Sequence, residues 1–235
     1  MRFSIHQRIM KVDIKNISER NDNDARILGV STTRLLLASN NVHKVVEFRR
    51  MLEGLPFELV TPAELGLRLD PEETGETFAE NAWLKARAFA EASGLPVVAD
   101  DSGIEVDALN GGPGVRSARY GGPGLDDAGR VQLLLANMEG VPDARRACRF
   151  KVVLVLLGLG QGDLEVEGVC DGRVAYAPAG TNGFGYDPVF FVQSFGRTMG
   201  DLSDAQKDQI SHRGKAVRAM VALLRQRSWD NDCGE

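Results

Sequence analysis

The sequence predicts an α/β fold: a mixed central sheet flanked by helices, with two lobes around a cleft. Three observations predict it. Apolar runs of strand length (35–38, 57–60, 96–99) alternate with segments of helical periodicity through the first half. A longer apolar run, 149–157, turns through 158–162 into 164–169, the pattern of an antiparallel hairpin. Polar and glycine-rich strings follow several of the strands, and open α/β sheets bind ligands at their carboxyl ends.

Element by element, 35–38 reads as a buried strand. Ser39-Asn40-Asn41 then caps a helix whose Val45, Phe48 and Leu52 fall at i, i+3 and i+7, and Gly54 stops it. A second strand covers 57–60, and an acidic loop covers 70–76. Thr77 opens a helix with Glu80 three residues on, a capping box. Phe78, Ala82, Lys85, Ala86 and Phe89 follow at helical spacing, and Gly94 ends it. The strand 96–99 runs straight into Asp100-Asp101-Ser102-Gly103. A glycine-rich stretch, 110–124, carries Arg116, Arg119 and Tyr120, and an Asp at 126 or 127 caps a helix ending at Gly140. After the hairpin, 189–192 is a final strand. Ser203 and Gln206 form a second capping box for a helical region reaching about residue 227.

The chain has 235 residues with 43% hydrophobic and 26% charged, an ordinary balance for a globular protein with a real core. No apolar run approaches the 18 or so residues of a membrane span. The net charge of -5 excludes the basic face of a dedicated nucleic-acid binder, but leaves room for a small polyanion held by a few focused lysines. Cys148, Cys170 and Cys233 are an odd set without a CxxC pair, which suits a reducing cytoplasm rather than a disulfide framework or zinc knuckle. The 26 glycines exceed the usual share of about 7% and cluster with polar residues, as in functional loops. Residues 1–33 lack sustained periodicity and any signal-peptide core. They are expected to be a poorly ordered extension before one domain, 34–229, and a short tail, 230–235.

Five strings could carry chemistry. Ser39-Asn40-Asn41-Val42-His43-Lys44 lies between a strand and a helix, where free N–H groups and the helix dipole attract phosphate. The same residues also cap helices with no ligand at all. Glu72-Glu73 begins an acidic stretch that is either solvated or a metal site. The adjacent carboxylates of Asp100 and Asp101 repel, so both stay ionised only with compensation from water, donors or a cation. Magnesium meets that need, being held by one or two carboxylates plus phosphates; the alternative is a turn with Gly103 at positive φ. In Gly183-Phe184-Gly185-Tyr186-Asp187-Pro188 the glycines let the backbone approach a flat ligand on which Phe184 stacks, unless the ring only plugs the core. Lys207 and Ser211 share a helical face, but Arg213 lies about 240° around from Lys207 on a straight helix. Convergence of Lys207, His212 and Arg213 requires a break near Ser211.

In this order the strings resemble the inosine triphosphate pyrophosphatase family, the bacterial XTP/dITP diphosphatases. The matching stretches are SNNVHK (39–44), EETGETFAENAWLKA (72–86), ADDSGIEVDALNGGPGVRSARY (99–120), GTNGFGYDPVF (180–190) and LSDAQKDQISHRGKA (202–216). Together they span nearly everything from residue 34 to the C-terminal helix. The resemblance implies hydrolysis of deaminated purine nucleoside triphosphates to the monophosphate and pyrophosphate, with magnesium as cofactor. It implies that 39–44 cradles the triphosphate with Lys44 on a phosphate. Asp101 would be general base and metal ligand, joined in the metal site by Glu73, with Glu72 as the other candidate of the acidic pair, and Ser102 would touch substrate. Phe184, Gly185, Tyr186 and Asp187 would hold base and sugar, Lys207 a phosphate or the base, and His212-Arg213 the base edge. Asn81 and Lys85, one turn apart, would reach the triphosphate.

The resemblance also implies a homodimer; exposed apolar surface on 149–157 or its hairpin is the surface expected to supply the contact. Neither a nucleic-acid nor a membrane partner is expected. Competing readings are a pyrophosphatase for pyrimidine or methylated nucleotides, a phosphatase releasing orthophosphate, and a nucleotide sensor without catalysis. SHRG and GFGYDP weigh against the first, and the intact acidic strings against the last.

Overall fold

A computed structural model describes residues 32–160 and 162–232, with side chains to residue 226. The expected extension therefore lies outside the described residues up to position 31, as do Cys233 and the rest of the tail beyond 232. The elements are β1 (Thr33–Leu37), α1 (Val42–Met51), β2 (Phe57–Val60), α2 (Phe78–Ser93), β3 (Val97–Val106), α3 (Asp127–Asn137), β4 (Ala147–Leu157), β5 (Leu164–Val174), β6 (Phe190–Val192), β7 (Arg197–Thr198), α4 (Asp204–Ile210) and α5 (His212–Asp232).

The strands form one mixed sheet in the order β2-β1-β3-β4-β5-β6-β7. β1 pairs in parallel with β2 and β3, and every later pairing is antiparallel. Leu35, Leu36 and Leu37 are all fully buried, as a central parallel strand covered on both faces requires. Their alternation separates two cores. Leu35, Leu37, Val98, Val152 and Leu154 pack toward α1 and α5, against Phe48, Leu52, Ala216 and Met220. Leu36, Val97, Ala99, Val153 and Val155 pack toward α2, against Ala82, Ala86 and Phe89. A third core, around Ile104, Phe150, Cys170, Tyr186, Phe190 and Leu134, joins the far ends of β3, β4 and β5 to α3 and β6. The first two cores make one lobe and the third makes the other.

Helix ends follow the capping chemistry in the sequence. Asn41 caps α1 and Thr77 closes a capping box with Glu80. Gly94 ends α2 in the left-handed conformation, Asp126 caps α3, and Ser203 boxes with Gln206. Three expectations need correction. Asp100-Asp101-Ser102-Gly103 is not a turn after a strand: β3 continues through it, paired with β4 from Val97 to Val106. Gly103 serves a close approach instead, since a Cβ there would collide with the Gly114 carbonyl and the Ser117 hydroxyl. β5 extends to Val174 and α5 to Asp232, past the sequence limits of 169 and 227. Finally, most of the apolar surface expected on β4 is covered, because β3 and β5 flank it and Val152, Val153, Leu154, Val155 and Leu156 are buried within the chain, which leaves the hairpin as the other surface expected.

Candidate active site

The alternation of β3 sets the site. β1 ends opposite Val98, so the next two residues of β3 stand beyond its carboxyl end with side chains on opposite faces. Asp100, 1% exposed, points to the α1–α5 face. There it accepts bonds from Lys44 Nζ at 3.0 Å and Arg213 Nη2 at 2.9 Å. Burial works against its charge, but Lys44, Arg213 and Lys85 outweigh burial and hold this carboxyl well below the usual range. Asp101 points to the α2 face and accepts from Lys85 Nζ at 2.8 Å and Asn81 Nδ2 at 3.3 Å. For Asp101 burial wins over Lys85, and its pKa lies above the ordinary value.

Glu73, in the acidic loop before α2, meets the same lysine: Lys85 Nζ lies 2.9 Å away, and Arg119 Nη1 donates at 2.8 Å from the other side. The two cations overcome burial and depress its pKa. Glu72 is exposed. Lys85 thus bridges Glu73 and Asp101, while Asn81 holds Asp101 and also accepts the Gly75 N–H. Both residues, expected at a triphosphate, are engaged here with the acidic groups.

At the start of α1, the Asn41 side chain accepts the N–H groups of His43 and Lys44. Ser39 Oγ accepts from the Asn41 N–H, and Asn40 donates to the Leu69 carbonyl. Val42 is 68% exposed, at the rim. One turn into the helix, buried Glu47 receives Arg213 Nη1 at 2.6 Å and Lys207 Nζ at 2.7 Å. Lys207 also bonds Asp187 at 2.5 Å. Burial would lower the Lys207 pKa, but Asp187 and Glu47 raise it. An alternating chain of charges results: Asp187, Lys207, Glu47, Arg213, Asp100, Lys44. The break that brings Lys207, His212 and Arg213 together is present, since Ser211 is extended and separates α4 from α5. Its hydroxyl accepts the Gly214 N–H at 3.0 Å. Arg213 also donates to Ser102 Oγ at 3.1 Å.

The opposite wall is the loop after β5. Gly183 and Gly185, at φ 78° and 60°, flank Phe184. Asp187 accepts the Phe184 N–H at 2.8 Å, Asp127 accepts the Gly185 N–H at 3.0 Å, and the Tyr186 hydroxyl donates to the Ser117 carbonyl at 2.9 Å. Lys207 Nζ sits 4.9 Å over the Phe184 ring, and the His43 imidazole stacks on it at 5.1 Å. His212, 6% exposed, stacks on Phe150 at 4.9 Å, and its Nδ1 has no hydrogen-bond partner. Burial, reinforced by Arg213 and Lys207, drives its pKa far down and keeps the ring neutral.

These groups line a cleft of about 150 Å³ bounded by Asn41, Lys44, Glu73, Asp101, Phe184 and His212. A larger hollow of about 910 Å³ lies between the start of α2, the 110–116 loop and α5, away from the converging charges. Among the described residues no three His, Cys, Asp or Glu side chains form a metal cage by themselves. Cys148 and Cys170 are buried with raised pKa values, Cys170 to about 11, and neither lines the cleft. Sequence reasoning missed Glu47, whose only signal is its place one turn after Lys44, and it gave Arg119 and Asp127 no part.

Known proteins share this arrangement of sequence. The model of the Ham1 family matches residues 35–223. The dITP/XTP pyrophosphatase of Streptomyces coelicolor is 47% identical, with 83% of this chain aligned to 98% of that protein. That of Escherichia coli O157:H7 is 45% identical, over 82% and 98%. A HAM1 protein from Coxiella burnetii superposes with a TM-score of 0.75 at 41% identity, covering 83% of this chain and 99% of the other.

Proposed function

Because the chain belongs to the Ham1 family, we propose that it hydrolyses deaminated purine nucleoside triphosphates (ITP, dITP and XTP) to the monophosphate and pyrophosphate. This would cleanse the nucleotide pool and keep such bases out of DNA and RNA. The observation that carries the reading is Asp101, a buried carboxylate of raised pKa beside Glu73 and Lys85, in one cleft with an aromatic shelf and an unpartnered histidine.

In this mechanism Asp101 accepts the proton of the attacking water, a role its raised pKa favours. Asn81 and Lys85 fix its orientation. Lys44 and the Asn41 turn receive phosphate oxygens, and Lys44 balances charge that builds on the pyrophosphate leaving group. Magnesium is the cofactor we infer, on Glu73 and Asp101. The donor set fits: the two carboxylates already share one cation, Lys85 Nζ, at 2.9 and 2.8 Å. A hard divalent ion held with phosphate oxygens needs no more than two carboxylates. When bound, the ion neutralises phosphate charge and acidifies water. Glu72, being exposed, is the weaker candidate of the acidic pair.

Base choice falls to His212 and its surroundings. Hypoxanthine and xanthine carry a 6-oxo acceptor where adenine carries an amino donor. The neutral His212 lines the cleft, and a ring N–H turned to the base would be satisfied by the 6-oxo acceptor and left facing a donor in adenine. Such sites discriminate by about 10⁴ or more. Arg213, held by Asp100, Glu47 and Ser102, supports this edge from below. Phe184 supplies the stacking face, with Gly185, Tyr186 and Asp187 beside the sugar.

We also infer a cytoplasmic homodimer with a small-molecule substrate and no nucleic-acid or membrane partner. The buried free thiols of Cys148 and Cys170 support the compartment. No described helix is long and apolar enough to cross a membrane. Product analysis with ITP, XTP, dUTP and ATP, with and without magnesium, tests the reading. Magnesium-dependent pyrophosphate release from ITP and XTP with ATP spared is expected. Orthophosphate release, or preference for dUTP, would overturn it.

A further inference from the structure

His43 is separated from the acidic groups although it adjoins Lys44. On a helix consecutive side chains diverge by about 100°. Lys44 reaches Asp100, while His43 turns to the opposite wall and lies on Phe184. The two rings are nearly parallel, 10° apart, at a centroid distance of 5.1 Å. Phe184 lines the cleft, and the exposed imidazole of His43 covers one face of its ring. Lys207 and Arg213 also approach this ring, at 4.9 and 5.8 Å.

Phe184 needs such a support. The residues on both sides are glycines in left-handed conformations, which leave its backbone little intrinsic preference. His43 is itself firmly based, because its N–H is bonded to Asn41 Oδ1 at 2.9 Å in the cap of α1. The stack therefore ties the aromatic loop to a rigid helix start across the mouth of the cleft.

We propose that His43 is a positioning residue for base recognition: it fixes the plane of Phe184 and takes no part in holding the phosphates. This rests on the nucleotide reading above. Steady-state kinetics with ITP on the wild-type protein, His43→Ala and His43→Phe test it. Inhibition by inorganic tripolyphosphate serves as a probe that has phosphates and no base. Losing one ring stack should raise KM for ITP roughly two- to tenfold in His43→Ala, with kcat little changed. His43→Phe keeps a ring and should restore KM, and tripolyphosphate should inhibit all three proteins alike. Unchanged KM in His43→Ala, failure of the phenylalanine to rescue it, or tripolyphosphate inhibition weakening in step with KM would each overturn the assignment. Absence of ITP turnover by the wild-type protein would remove the nucleotide reading itself, and this inference with it.

Discussion

Asp100 and Asp101 are chain neighbours with opposite chemistry, and the difference follows from which face of β3 each occupies. Asp101 combines burial with a raised pKa, so Asp101→Asn should lower kcat by about 10² to 10⁴ while leaving nucleotide binding measurable by calorimetry. The sign of the pH effect is fixed as well. The proposed base must be ionised, so kcat/KM should fall as pH drops through the titration of Asp101, which in the metal-free protein lies above the ordinary carboxylate value of 3.8 and which a bound cation would lower; a pH–rate profile shows that limb directly. Asp100 is depressed instead. Its stabilising contribution is present above the unfolded value of 3.8 and is lost as pH falls below it. Asp100→Asn leaves Lys44 buried without its carboxylate and Arg213 with Glu47 as its remaining one, and should cost about 3 to 5 kcal/mol at pH 7. Urea melts should show the gap between variant and wild type narrowing in part by pH 3, because the unfolded chain has begun to protonate while the folded carboxylate has not; an equal gap at both pH values would contradict this account. The sequence displayed both carboxylates but could not divide their roles. That division depends on β3 continuing through Ser102 and Gly103, residues that by themselves resemble a turn.

At the scale of elements, the caps were the most legible part, because a capping box is local chemistry written within four residues. Thr77 with Glu80 and Ser203 with Gln206 are each found as read. Lengths set by tertiary pairing were not legible, as the extra residues of β5 show. Glu47 was missed for a related reason: a glutamate inside α1 looks solvated until α4 and α5 bring Lys207 and Arg213 against it. The break at Ser211 was readable as a requirement, and Gly214 is what permits its compactness. A Cβ at Gly214 would collide with the Asp208 carbonyl, forcing α4 and α5 apart and shifting His212 and Arg213. Gly214→Ala should therefore destabilise the protein by about 1 to 3 kcal/mol and raise KM for ITP. Thermal melts and steady-state kinetics are the checks. A stable variant with unchanged KM would show that the close approach does not set the base edge.

For the whole molecule, the chain of charges from Asp187 to Lys44 links the groups proposed for the two ends of the nucleotide. The cleft encloses about 150 Å³, below the roughly 300 Å³ at which pockets for sizeable ligands begin. A nucleoside triphosphate bound there would touch both lobes, with Lys44 on one wall and Phe184 on the other. Binding of this kind stabilises the folded chain in proportion to occupancy. At 100 times Kd the gain is about 2.7 kcal/mol, or roughly 5 to 10 °C in Tm for a domain of this size. The Asp101→Asn variant allows the measurement without turnover. With magnesium, ITP should raise its Tm by that amount and ATP at the same concentration should not. Chelating the metal should reduce the ITP effect, since in this variant the Glu73 carboxylate would then face the phosphates with only Lys85 and Arg119 to balance it. Equal stabilisation by ATP would mean that the cleft holds the triphosphate without reading the base, and selection would then have to arise after binding, at the chemical step.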